Sequence, residues 1–312
     1  MAARITFILG CTGSGKGGLG RELARRTGGE IISVDSMKVF RRMDIGTAKP
    51  PPELRREIPY HLIDVVGPDE GFSVARFVKL AEEAIAEIDG RDRPIFAVGG
   101  TPLYIKSLSE GLFEGPSADP GIRARLHEEA QEKGWAALHT RLERVDPQAA
   151  TRIHPNDQRR IVRALEVYEL AGRPISELQT QWDRDRQQYD CVFIGLRREL
   201  EDQNHRTNQR VKRMIEAGLI DEVQSLLAED KPLSTTARQA LGYAEIIAHL
   251  QGGPSLAQTV ENIKINTRQF AKAQRTWFKR FRETEWSDLE PDDTASRIAD
   301  ELMAQRGSLW LP

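Results

Sequence analysis

Gly10-Cys11-Thr12-Gly13-Ser14-Gly15-Lys16-Gly17 is the stretch whose reading decides the fold. Gly10, Gly15 and Lys16 fit the phosphate-loop pattern G-x-x-x-x-G-K-[ST], in which glycines let backbone amides converge on phosphate oxygens and a helix N-terminus adds partial positive charge. The context also fits. Arg4–Leu9 is an apolar strand before the loop, and the Leu19, Leu23 and Ala24 periodicity predicts a helix after it, to about Thr27. The eight residues Gly10, Cys11, Thr12, Gly13, Ser14, Gly15, Lys16 and Gly17 are therefore expected to hold a diphosphate or triphosphate. The last position departs from the pattern. Gly17 stands where a hydroxyl that holds magnesium is expected.

Working outward, the first hundred residues alternate strand and helix patterns. Glu30–Asp35, Tyr60–Val66 and Arg93–Val98 read as further strands, and Ser73 caps a helix carrying Val74, Phe77, Val78, Ala81 and Ile85 on one face. This alternation predicts an α/β fold: a P-loop NTPase-like parallel sheet flanked by helices, with ligands at the carboxyl ends of the strands. Asp35 and Gly99-Gly100-Thr101 then share a rim with the loop. Asp35 could serve as a general base, a magnesium ligand or a helix cap. Thr101 could donate to a phosphate oxygen or merely sit in a strand-to-helix turn.

From about Gly115 helical patterns dominate, over Ile122–Lys133, Trp135–Arg144, Asp157–Leu170 and Ile175–Trp182, until a strand pattern returns at Tyr189–Leu196. The expected organisation is a catalytic core of residues 1–115 and 189–312 with a helical insertion domain at 116–188. Arg159, Arg160 and Arg163 form a basic cluster in the insertion. Arg206, Arg210 and Arg213 share a later helix, where they could fork onto a diphosphate or face solvent. Between Thr259 and Arg282, the residues Lys264, Arg268, Lys272, Arg275 and Lys279 make a basic stripe, with Val260, Ile263, Phe270, Trp277 and Phe281 on another face.

Composition sets the bounds. The chain has 312 residues, 39% hydrophobic and 29% charged, with a formal net charge of −2. Overall charge does not announce a polyanion, so a nucleic-acid partner must be read from local stripes. The two cysteines, Cys11 and Cys191, show no metal-ligand spacing, and neither a targeting segment nor a membrane-spanning run is apparent. The expected location is the cytoplasm.

Several motifs occur together in order: Val34-Asp35-Ser36, Asp44-Ile45-Gly46-Thr47-Ala48-Lys49-Pro50, Gly99-Gly100-Thr101, Arg152-Ile153-His154-Pro155-Asn156-Asp157, Arg163-Ala164-Leu165-Glu166-Val167-Tyr168, Thr267-Arg268-Gln269-Phe270-Ala271-Lys272 and Thr276-Trp277-Phe278. With them the chain closely resembles the bacterial tRNA dimethylallyltransferases, from about residue 4 to 282. The resemblance implies transfer of a dimethylallyl group from dimethylallyl diphosphate to N6 of adenosine 37 of tRNA, with Mg2+ as cofactor, by a monomeric enzyme. It implies that the loop holds the diphosphate, that Asp35 is the general base, that Thr101 lies at the substrate interface and that Arg210 contacts the diphosphate. It places tRNA against Asp35, Ser36, Met37, Lys38, Thr101, Arg123, Arg159, Arg160, Ile161, Val162 and Arg163. Departures from the family pattern include Gly17 for Ser/Thr, Cys11 for a common proline, Lys38 for a common glutamine, Phe40 for a common tyrosine, and Ala244 and Ala273 for frequent arginines. A transferase acting on free adenylate, a nucleotide kinase and a silent RNA binder are the competing readings. The insertion argues against the first, Gly17 against the second, and intact Lys16 and Asp35 against the third.

Overall fold

The computed structural model describes residues 2–112, 115–179 and 188–307. In chain order the elements are β1 (Arg4–Gly10), α1 (Lys16–Thr27), β2 (Glu30–Val34), α2 (Pro52–Glu57), β3 (Tyr60–His61), α3 (Val74–Asp89), β4 (Ile95–Gly99) and α4 (Pro102–Ser109). There follow α5 (Pro120–Lys133), α6 (Trp135–Val145), α7 (Pro147–Arg152), α8 (Gln158–Ala171), α9 (Ile175–Leu178), β5 (Asp190–Arg198), α10 (Leu200–Glu216) and α11 (Leu219–Leu227). The chain continues with α12 (Thr235–Arg238), α13 (Tyr243–Leu250), α14 (Leu256–Phe278), β6 (Glu285–Leu289) and α15 (Ala295–Arg306).

Six strands pair in the order β3-β2-β4-β1-β5-β6, all parallel. Strand β1 is buried from Ile5 to Gly10 because both faces are covered by helices, which is why it reads as a continuous apolar run. Leu19 and Leu23 of α1 pack with Ile8, Ile31, Phe96 and Ile194. Each such leucine contributes about 2 kcal/mol of burial. Gly99 ends β4 against Val34 of β2, and a Cβ there would strike the Val34 carbonyl. Only glycine lets these strands approach so closely.

Two expectations are corrected here. The strand expected over Tyr60–Val66 is only Tyr60–His61, because Leu62 and Asp64 adopt left-handed backbone (φ 62° and 58°) and end the extension. Val66 instead bridges Phe40 in parallel. Strand β6, unread in the sequence, adds to β5 at the sheet edge. The helix expected over Ile175–Trp182 is present as Ile175–Leu178, and the end of that expectation lies outside the described residues.

The chain divides into two compact units, Met1–Ser109 with Gln187–Pro312, and Glu110–Arg186. The second has its own core of Leu126, Leu138, Leu142, Ile161, Val162, Leu165 and Val167. Among the described residues, no helix is long and apolar enough to cross a membrane.

Candidate active site

The loop Gly10–Gly17 leaves β1 and enters α1 through Gly15, whose φ of 99° suits only glycine without strain. Helix α1 has no acidic residue in its first turn and no side-chain cap, so its amides are open to an anion. Strand order reverses beside β1, between β4 and β5, and the carboxyl ends of β2 and β4 bring Asp35 and Thr101 to the same rim.

The loop is tied from three sides. Thr12 N donates to Gln274 Oε1 at 2.8 Å, and Gln274 Nε2 donates to Gly100 O at 2.6 Å. Gln203 Nε2 donates to Thr12 O at 3.0 Å and is itself oriented by Arg275 at 2.7 Å. Arg198, at the end of β5, donates to Ser14 O at 3.1 Å. Arg210 of α10 donates to the Thr12 hydroxyl. Lys16 Nζ donates to Cys11 O at 3.2 Å, so its ammonium folds back over the loop.

Asp35 Oδ1 accepts from Met37 N at 2.9 Å and Lys38 N at 3.3 Å. Thr101 Oγ1 accepts from Ser36 N at 3.1 Å, which fixes the Asp35–Ser36 turn against the start of α4. Lys16, Lys38 and Arg210 thus gather around one carboxylate. Burial, then the charges of Arg210 and Lys38, push the Lys16 ammonium down to about 8. Burial lowers Lys38 and Arg210 as well, with Asp35 opposing each shift. Cations that repel one another around one carboxylate are the electrostatic mark of a site built for an anion. Burial pushes the Cys11 thiol up, so it stands as a small neutral packing group.

Other predicted residues separate into distinct places. Arg206 donates to Pro291 O at 3.5 Å, and Arg213 is exposed. In the helical unit, Arg123 and Arg163 are both held by Glu166, which is 0% exposed, at 2.8 Å and 2.6 Å. Arg159 and Arg160 are exposed at the start of α8, where Asp157 caps the helix by accepting from Arg160 N at 3.2 Å. Ile161 and Val162 are core residues of that unit, because the helical period turns them inward. Their side chains offer no surface to a polyanion, which corrects that part of the expected tRNA contact list.

Lys49 proves to be structural. Its side chain, 1% exposed, donates to Phe40 O at 2.5 Å and to Asp44 and Asp64 at 2.6 Å each. The Asp44–Pro50 motif is therefore a clamp on the segment after β2. The α14 stripe is also reassigned. Its buried face is Thr259, Ile263, Thr267, Ala271, Gln274 and Phe278, while Phe270 is exposed. Arg268 and Arg275 turn toward Asn208 and Gln203 of α10, and Lys272 and Lys279 face solvent. Sequence reading missed Gln203, Gln274 and Arg198. For the two glutamines the available signal was a polar residue on the buried face of a helix, where apolar ones are the rule; Arg198 ends a strand and carried none.

The donor set fits a protein-held magnesium ion poorly. Gly17 supplies no hydroxyl. The Thr12, Ser14 and Thr101 oxygens all accept hydrogen bonds from neighbouring groups. Among the described residues, no group of three or more His, Cys, Asp or Glu side chains could hold a metal.

A parallel sheet with a glycine-rich loop at the β1–α1 junction, a lysine folded over it and an acid at the next strand end defines a P-loop NTPase-like protein. The family model described as IPP transferase matches residues 38–281. A tRNA dimethylallyltransferase of Geobacter metallireducens is 48% identical over 283 residues, 91% of this chain and 92% of its own. One from Desulforudis audaxviator is 49% identical over 286 residues, 92% of each chain. The solved tRNA isopentenylpyrophosphate transferase of Bacillus halodurans superposes with a TM-score of 0.70 at 37% identity, covering 98% of each chain. A eukaryotic dimethylallyltransferase acting on tRNA gives a TM-score of 0.80 at 28% identity, over 100% of this chain and 81% of that one. The chain belongs to the IPP transferase family.

Proposed function

We propose that the protein is a tRNA-modifying prenyl transferase that moves the dimethylallyl group of dimethylallyl diphosphate to N6 of adenosine 37. The observation that carries this reading is the gathering of Lys16, Lys38 and Arg210 around Asp35 at one sheet rim. Without a loop hydroxyl for magnesium, these cations and this carboxylate lack the arrangement of a P-loop ATPase. A reaction that releases diphosphate while deprotonating an amine uses both.

The exocyclic amine of adenine is a weak nucleophile, its lone pair delocalised into the ring. In the proposed reaction it attacks the allylic carbon. The new C–N bond forms as the C–O bond to diphosphate breaks, and the amine proton passes to Asp35. Both backbone amides fall on Oδ1 of Asp35, which leaves Oδ2 to take that proton. The amides at Oδ1 hold the carboxylate in place. Lys16, Arg210 and the loop amides of Gly13, Gly15 and Gly17 receive the charge that develops on the leaving diphosphate. The adenine leaves its stack to reach the rim, and Thr101, Ser36, Met37 and Lys38 line its approach. Arg159 and Arg160 of the helical unit meet the tRNA backbone. The protein acts in the cytoplasm as a monomer, and its two unpaired cysteines suit a reducing compartment.

The test is transfer of label from dimethylallyl diphosphate by purified protein. Acceptors are an unmodified anticodon stem-loop bearing adenosine 37, free AMP and free ATP, with and without magnesium. Label on the stem-loop alone is expected. Label on free nucleotide would move the protein to the adenylate transferases, and label on neither would overturn the prenyl-transfer reading.

A further inference from the structure

Helix α1 carries three arginines with different partners. Arg25 pairs with Glu22 and Glu57. Arg26 pairs with Glu22 and Asp300. Arg21, half-buried, meets the hydroxyl of Tyr60 and feels the Glu57 carboxylate, which Arg25 binds, only through its field. Its side chain runs back toward the N-terminus of α1, as helical side chains do. This brings its guanidinium over Gly17, one turn earlier. A Cβ at residue 17 would have Arg21 Nη1 as its nearest heavy atom, at 3.8 Å. The charge of Arg21 also reaches Lys38, across the loop from it.

The phosphate loop therefore lacks a metal-holding hydroxyl at a position where a guanidinium occupies the adjoining space. We propose that Arg21 is a diphosphate-binding residue, which with Lys38 supplies at Gly17 the positive charge that a hydroxyl-held magnesium ion supplies in loops of the usual sequence. This rests on the reading of the loop as the diphosphate site. The chemistry is consistent: a guanidinium fork gives paired donors to phosphate oxygens and never loses its charge near neutral pH. Magnesium, by contrast, needs several oxygen ligands, and the pocket offers few. The pair Gly17 and Arg21 acts as one device. The missing side chain opens the room, and the residue at i+4 fills it with charge.

The test is binding of inorganic pyrophosphate to the full-length protein by titration calorimetry, in EDTA and in magnesium. The variants are Arg21→Ala, Arg21→Lys and Lys16→Ala. Wild type is expected to bind pyrophosphate in EDTA. Arg21→Ala should weaken that binding about tenfold or more and recover part of the loss in magnesium, the scale of one charge-assisted hydrogen bond. Arg21→Lys, which keeps the charge but loses the paired donors, should fall between wild type and Arg21→Ala. If Arg21→Ala binds in EDTA as wild type does while Lys16→Ala loses affinity, the Arg21 role is overturned and the phosphate-loop reading stands. If wild type does not bind pyrophosphate in either condition, both are overturned.

Discussion

The rim of the sheet and the helical unit are both rich in arginine and lysine, and they use them oppositely. In the helical unit, five of the cations are paired by three glutamates. Glu166 takes Arg123 and Arg163, Glu169 takes Arg125 and Arg141, and Glu129 takes Arg141 and Lys133. At the rim, Lys16, Lys38 and Arg210 share a single Asp35, and Arg21 meets a tyrosine hydroxyl while Glu57, already bound by Arg25, reaches it only through its field. Compensated charge holds helices together. Uncompensated charge, kept at a cost in solvation, waits for an anion. Basic residues thus mean different things in the two regions, and the partners decide which.

The largest effect that can break this contrast is at Asp35. Asp35→Ala should lower the transfer rate by about 10^2- to 10^4-fold, the range for loss of a general base. Its affinity for the anticodon stem-loop should change little. Near-normal single-turnover rates would leave the rim carboxylate without a chemical role.

Glu166→Ala addresses the other region. Removing the carboxylate strands two arginines and an amide, Asp119 N, on a buried site. The loss should be about 3 kcal/mol of stability, toward the low end for broken buried pairs because both arginines are partly exposed. Denaturant unfolding measures it, and pyrophosphate affinity should hold. A variant as stable as wild type would show that these arginines are not structural.

Linkage at Lys16 gives a smaller, graded effect. Its folded value of about 8 lies below the ordinary 10.5, so protonated Lys16 opposes folding, and this contribution to stability improves as pH rises through about 8 toward 10.5. Binding works the other way. A bound anion raises the lysine again, so pyrophosphate binding takes up a proton above pH 8, and affinity should fall with rising pH by up to about tenfold per unit. Calorimetry in two buffers of different ionisation enthalpy reads the proton directly. No proton uptake at pH 9 would mean that Lys16 does not meet the anion.

The smallest effect is expected from Gly17→Ser. A Cβ there makes only ordinary contact with Arg21, so melting temperature should move by a degree or two, within the usual ±0.5 kcal/mol of a surface change. The added hydroxyl should lower the magnesium concentration at which pyrophosphate binding saturates. A collapse in stability would show that the glycine is required by the backbone.

Much of the core was legible in the sequence because its determinants are local. A strand buried on both faces reads as an apolar run, and a glycine-rich turn into a helix reads at fixed spacing. The acid closing β2 and the Gly-Gly-Thr after β4 reach a common rim by the right-handed parallel topology alone. The sequence could not tell that Tyr60–Val66 breaks after two residues, since Leu62 and Asp64 hold left-handed backbone only because Lys49 and Arg55 fasten Asp64. It could not rank the arginines either. The partners of Arg123 and Arg163 lie 43 and three residues away, and those of Thr12 lie 262, 191 and 198 residues away. Sequence alone determined the four central strands of the sheet, the loop and which residues could bear charge. Tertiary structure decided which charges are satisfied, because pairing depends on distances that spacing along the chain does not encode.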